Sequence, residues 1–586
     1  MRALAVLAIL LTAVAADIAS GTRYSLSTTW PLLAVDEGGR GRVVYVTIEV
    51  ACPGSGLLTA EPPGAFDRSF MLSARYALLL ASLFTGFNYS SCDFGLRLAN
   101  GQGVTLSGGS AALALFMAFA GLERGSAEPV PATGVLGPGG LVGLVGGLSE
   151  KVSAAREASY ELVVGPATNE SWPGYRGVWH ALQALALLAP SGTAPSITLA
   201  GGGNPSHMFA AAAERYRGLA KLYLDEAASL GAACEASRYV SAGDEALSRG
   251  MVYAATSTYF VAAFHALQCY LGALRSSNPG GFQDVVSAIS SWASGNLSLV
   301  EGALGEAVHN VSAATPWDID VAYNAYIRYL MAKGALVAFL TNPNRYDLVA
   351  IALLRALSAL DWLSLAGRGN ETSAVNVSGA EALVEGLGEV TYSYLASAGY
   401  AVAWRSVGSP LEGPVGGLLS AMASYYFMYL SLSSSGAWGE VFEPVLRSCN
   451  LSEGLEALLG AVPSAKATAG PKLYAEAVEF YVEEGLAGFA IQVAADLSVE
   501  LALSSALEYG SAATRVPLVP SLASLPTEFL AVPAALVVLG GLLVAAELRR
   551  QRTRGTGAAA QAGGDSNVEG AAACQTHPMA TATPRP

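Results

Sequence analysis

Ser110 lies in the run Thr105-Leu-Ser-Gly-Gly-Ser-Ala-Ala112, and Lys151 closes the run Gly146-Gly-Leu-Ser-Glu-Lys151. A serine hydroxyl is a weak nucleophile at neutral pH and needs a base to take its proton. A lysine amine can be that base if burial lowers its pKa toward neutrality. Glycines ahead of the serine allow unusual dihedrals and bring backbone N–H groups toward a developing oxyanion. Residues 1–179 contain no histidine, which excludes a local Ser-His-Asp triad; the five histidines are His180, His207, His265, His309 and His577. Lys151 sits among Leu148, Val152 and small residues, with Glu150 beside it. Each segment also has a plain structural reading. Ser110 is a fitting helix cap after a glycine turn, and Lys151 a fitting solvated lysine in a first helical turn.

The elements that must position these residues lie in residues 24–180, where strand and helix signals alternate. Arg42–Ala51 is β-branched and follows the turn Asp36-Glu-Gly-Gly39. Phe66–Phe84 is a helix-length apolar run with Asp67 as its N-cap. Phe94–Ala99 reads as a strand, Ser110–Gly121 as a short buried helix, and Ala132–Leu136 and Leu141–Val145 as short strands. Leu148–Ala158 reads as a helix and Tyr160–Val164 as a strand. The pattern is that of an α+β or α/β domain. From 181 to 516 strand signals fade, and Ala/Leu/Tyr-rich helices are expected over His207–Leu230, Asp244–Leu274, Ala322–Leu340, Tyr346–Ala366, Glu381–Ala398 and Lys472–Leu507. The expected fold is therefore an α+β domain, then a large all-α region, then one C-terminal transmembrane helix.

That last element comes from hydropathy. Residues 1–15 read as a secretory signal, with Arg2, the apolar run Ala3–Val14 and the small-residue pattern Ala13-Val-Ala15. Residues 529–546 are uncharged and mostly apolar, just long enough to span a bilayer. Arg549, Arg550, Arg552 and Arg554 follow and point to a cytoplasmic tail over 547–586, with 517–528 as a linker. The bulk of the chain is then extracytoplasmic on a single-pass anchor. Asn-X-Ser/Thr occurs at seven positions, Asn88, Asn169, Asn296, Asn310, Asn370, Asn376 and Asn450, all between the two hydrophobic ends. Chance would give about two at this Ser/Thr content, so a glycoprotein is expected. Met251–Leu274 and Gly413–Gly439 also lack charge, but if both crossed the bilayer the sequons between them would face the cytoplasm. They are read as buried core helices. The six cysteines show no zinc spacing; Cys52–Cys92 and Cys234–Cys269 are the disulfide pairs to test first.

Composition narrows the function. The chain has 586 residues, 52% apolar and 13% charged, against about 25% charged in typical soluble domains. A net charge of −14 argues against nucleic acid as a partner. The dipeptide Gly-Lys is absent, so no P-loop ATPase is encoded. No metal-ligand spacing and no cofactor motif appears.

With these pieces in place, the segment resembles the proteolytic domain of Lon-type serine peptidases. The matching pieces, in order, are Ser107-Gly-Gly-Ser-Ala-Ala112, Ala132-Thr-Gly134, Gly146-Gly-Leu-Ser-Glu-Lys-Val-Ser-Ala-Ala155 and Val163-Val-Gly-Pro-Ala-Thr-Asn169. Upstream, Thr47–Leu58 resembles the family's early strand and Pro-Gly turn. The resemblance implies Ser110 as nucleophile and Lys151 as general base. It implies Thr133 as a hydrogen-bond partner of the lysine, and the backbone around Gly109 and Ser110 as part of the oxyanion site. The serine loop departs from the family pattern: Ser107 replaces an aspartate, Gly109 a proline and Ala112 a glycine. Asp67 and Asp93 are acidic neighbours that the sequence cannot place against it. The design, without an ATPase module and on a membrane anchor, resembles an archaeal group of peptidases. The implied activity is endopeptidase cleavage of unfolded polypeptides or peptides, with membrane attachment through the C-terminal helix and a homo-oligomer left open. The rival expectation is an inactive Lon-like fold serving as a binding scaffold; hydrolysis of a non-peptide ester or amide is a third.

Overall fold

The computed structural model describes residues 24–99, 104–123, 128–188, 205–309, 315–369, 374–404, 407, 411, 413–452, 455, 458–459 and 468–510. The expected signal, linker, membrane helix and tail lie outside these residues, as do Asn310 and Asn370.

The chain starts with a long hairpin. Strand β1 (Tyr24–Val35) pairs antiparallel with β2 (Gly41–Cys52), Trp30 opposite Val46. The Asp36 carboxylate closes the turn by accepting from the Gly38 and Arg40 N–H groups at 3.0 and 2.9 Å. β2 continues antiparallel onto β4 (Asp93–Leu98), and β3 (Leu58–Glu61) joins β4 in parallel. On the other side of β1, Ala132 bridges in parallel to both Leu32 and Val164. Val164 belongs to β7 (Val163–Pro166), which pairs in parallel with β8 (Tyr175–Val178). The order across the sheet is therefore β3, β4, β2, β1, the Ala132 stub, β7, β8. A two-residue ladder, β5 (Val135–Leu136) with β6 (Val142–Gly143), follows the stub.

Alternation along β1 divides the packing. Trp30 and Leu32 join the large core with α1 (Arg68–Thr85) and α2 (Ala112–Glu123). Leu33 faces the other way, onto Val152 and Ala155 of α3 (Leu148–Glu157). The sheet thus lies between two helical layers, as a period-2 strand buried on both faces requires. Asp67 caps α1 by accepting from the Phe70 N–H at 2.7 Å.

A helical part follows α4 (Ala181–Ala186). It comprises α5 (Ala210–Ser229), α6 (Ser237–Ser248), α7 (Val252–Ser277), α8 (Pro279–His309), α9 (Pro316–Thr341), α10 (Tyr346–Leu363), α11 (Val377–Ser397), α12 (Pro414–Ser433), α13 (Glu443–Ser448), α14 (Gly470–Glu483) and α15 (Ala487–Tyr509). The protein is thus mostly helical, with a small N-terminal α/β region and a large helical part.

The apolar core runs unbroken from the sheet into this array. Leu144 donates its N–H to the Val441 carbonyl at 2.8 Å, and a Cβ at Gly139 would meet the Ser498 carbonyl of α15 at 2.2 Å. α12 and α15 are long and apolar enough to cross a membrane, yet 72% and 83% of their apolar windows are buried in the packing. α7 is likewise buried along much of its length.

Two disulfides are formed, Cys52–Cys92 and Cys234–Cys269, the two pairs singled out for testing first. Among the sequons, Asn296 is only 8% exposed and its amide donates to the Trp292 carbonyl at 2.9 Å, so a glycan has no access to it in the folded chain.

Candidate active site

Ser110 sits in the turn that leads into α2. Gly108 takes φ +85°, a left-handed conformation natural to glycine. The Ser110 carbonyl is held twice, by the Gly134 N–H at 2.8 Å and by the Thr133 hydroxyl at 3.0 Å. Leu113 returns its N–H to the Gly134 carbonyl at 3.1 Å, locking the start of α2 to the same strand stub. The stub itself is fixed by Thr133 N–H to the Val164 carbonyl, 3.0 Å. Among the described residues no acceptor takes the N–H groups of Gly109, Ser110 or Ala111. Three free donors at the mouth of a helix are what a developing oxyanion needs.

Lys151 lies one turn into α3 and is 3% exposed. Its Nζ donates to Thr133 Oγ1 at 3.4 Å. Burial alone draws its pKa from the ordinary 10.5 down to about 8. Among the described residues no carboxylate pairs with it, so about one amine in ten is free at pH 7, against fewer than one in a thousand for an ordinary lysine. Thr133 is fully buried and joins the two partners: it accepts from Lys151 and donates to the Ser110 carbonyl. The structure therefore brings Ser110, Thr133 and Lys151 together around one hydroxyl. Among the described residues Lys151 makes no hydrogen bond to the Ser110 hydroxyl. Unliganded sites often show such looseness.

The one histidine close to this region is committed elsewhere. His180 Nδ1 accepts from the Leu182 N–H at 3.1 Å, so Nε2 carries the proton and donates to the Gly139 carbonyl at 2.9 Å. Full burial pushes its pKa down to about 3, and it stays a neutral cap of α4. It is not a base for Ser110.

Ser107 is exposed. The acidic group near the loop is Asp67 instead. Its carboxylate accepts from Ser69 Oγ at 2.7 Å, and Ser69 Oγ accepts from the Gly108 N–H at 2.8 Å. The cap of α1 thus steadies the serine loop through Ser69, a residue the sequence alone did not single out. Asp93 does a different job: it accepts from the N–H groups of Ser55 and Leu57 at 2.8 and 3.1 Å and shapes the turn before β3. Those bonds hold its pKa below the usual carboxylate value.

No protein-family model and no curated protein sequence matches this chain. The site stands on its own geometry.

Proposed function

We propose that this protein is a serine endopeptidase working through Ser110 and Lys151, with the bulk of the chain outside the cell and a C-terminal membrane anchor. One observation carries the reading: a buried lysine, depressed to about 8 by desolvation, shares Thr133 with the backbone of a serine in a glycine turn. A structural lysine gains nothing from such a place, since burying an ammonium is costly. The two disulfides and the exposed sequons at Asn169, Asn376 and Asn450 favour an oxidising, extracytoplasmic setting.

In the proposed reaction the neutral Lys151 amine takes the Ser110 proton as Oγ attacks the peptide carbonyl carbon. The oxyanion is received by N–H groups of Gly109, Ser110 and Ala111. Collapse breaks the C–N bond, and the leaving amine takes the proton back from Lys151. Water, deprotonated by the same amine, then attacks the acyl-enzyme ester and releases the acid and Ser110. With no ATPase module, unfolded segments and peptides are the fitting substrates.

Incubation with unfolded casein tests this. The wild type is expected to cleave it, and Ser110→Ala and Lys151→Ala are expected to be inert. Cleavage that survives Ser110→Ala would sink the dyad. The scaffold reading draws on the missing hydrogen bond between Lys151 and the Ser110 hydroxyl. A folded wild type that cleaves nothing would favour it.

A further inference from the structure

The helical array reaches into the serine loop through one side chain. Tyr394 of α11 is fully buried, and its ring stacks on Tyr76 of α1 with centroids 5.4 Å apart. Its hydroxyl accepts from the Leu136 N–H at 3.3 Å and donates to the Gly109 carbonyl at 3.4 Å. A Cβ at position 109 would lie 2.8 Å from that hydroxyl and 2.9 Å from the ring. With Tyr394 in place, position 109 is therefore restricted to glycine.

A peptide unit is planar and trans, so its carbonyl and N–H point opposite ways. The Gly109 carbonyl is held twice, by the Tyr394 hydroxyl and by the Ala112 N–H at 3.1 Å, and together these set the direction of the Ser110 N–H, one of the candidate oxyanion donors. The same hydroxyl ties that peptide to Leu136, on the segment that also carries Thr133. We propose that Tyr394 is a positioning residue for the nucleophile loop, supplied by the helical region. This rests on the Ser110–Lys151 reading. The helical part is then a working portion of the site.

The test is the rate of Ser110 labelling by a fluorophosphonate across pH, in the full-length chain, normalised to folded protein by circular dichroism. Tyr394→Phe keeps the ring and removes both hydroxyl bonds. It is expected to slow labelling about tenfold, the scale of one hydrogen bond aimed at a transition state. The midpoint of the pH profile, set by Lys151, should stay near 8. Tyr425→Phe is the comparison. Tyr425 reaches the same α/β part, accepting from the Gly139 N–H at 2.7 Å, and among the described residues it makes no hydrogen bond to the serine loop. It should label at the wild-type rate. Wild-type labelling in Tyr394→Phe, or an equal loss in Tyr425→Phe, would overturn the positioning role and leave the dyad standing. A wild type that takes up no probe would overturn the dyad, and this role with it.

Discussion

Replacing Lys151 with methionine should stabilise the fold while abolishing the chemistry. Methionine has similar length and no charge to desolvate. The wild-type amine falls from 10.5 to about 8 on folding. At roughly 1.4 kcal/mol per pKa unit, holding the ammonium inside at pH 7 costs about 3 kcal/mol. Losing the bond to Thr133 returns about 1 kcal/mol of that, so Lys151→Met should be more stable by about 2 kcal/mol at pH 7. The sign with pH follows from the direction of the shift. Between about 8 and 10.5 the unfolded chain binds the proton that the folded chain has released, so wild-type stability rises with pH through that window. The advantage of Lys151→Met should therefore vanish by about pH 10. Urea unfolding of both proteins at pH 7 and pH 10 measures the gap, and titrations elsewhere cancel in the difference. An equal gap at both pH values, or a methionine variant that is less stable at pH 7, would refute a desolvated amine at this position.

Three further outcomes follow from the same contacts. Thr133→Val keeps the bulk but removes the acceptor for Lys151 and the donor to Ser110. Fluorophosphonate labelling should slow at least tenfold, and its pH midpoint should move below 8, because an acceptor that favoured the ammonium is gone. Ser69→Ala frees the Gly108 N–H while leaving the Asp67 cap on Phe70. Labelling should slow with a stability loss of about 1 kcal/mol by urea unfolding. In the helical part, Arg328 is 6% exposed, lies 4.7 Å over the Trp362 ring and donates to Tyr474 and Asn324. Arg328→Ala should cost about 3 kcal/mol, read as a fall in the unfolding midpoint, because it empties the space over the Trp362 ring and leaves the buried acceptors of Asn324 and Tyr474 without their donor.

Local signals made much of the α/β part legible. Asp67 announced α1 as its cap, and the β-branched run Arg42–Ala51 announced β2. β1 was missed: Pro31 interrupts it, and its apolar residues do not alternate because Leu32 and Leu33 are each buried against a different helical layer. Asn278-Pro-Gly-Gly281 reads as a break, and one falls there: α7 ends at Ser277 with Asn278 as its C-cap, and Pro279 opens α8, where its missing N–H costs nothing. The runs Asp244–Leu274 and Lys472–Leu507 read as single helices; each is split by a glycine at positive φ, Gly250 at +77° and Gly485 at +67°. The short strands expected over Ala132–Leu136 and Leu141–Val145 shrink to β5, β6 and the Ala132 bridge. At the candidate site, Ser110 and Lys151 stand out by residue type and local pattern, and Thr133 enters through the family resemblance. Ser69 and Tyr394 were not, because a hydroxyl that acts across the fold leaves no periodic trace in sequence.

The central claim is that a lysine of lowered pKa activates Ser110. The most direct measurement is covalent labelling of the purified protein by a fluorophosphonate, with the adduct located by peptide mass spectrometry and its rate followed from pH 6 to pH 10. One adduct is expected, on Ser110, absent in Ser110→Ala and Lys151→Met, with a rate that rises through a midpoint near pH 8. An adduct on another serine, or labelling of Ser110 that persists in Lys151→Met with the same pH midpoint, would contradict it.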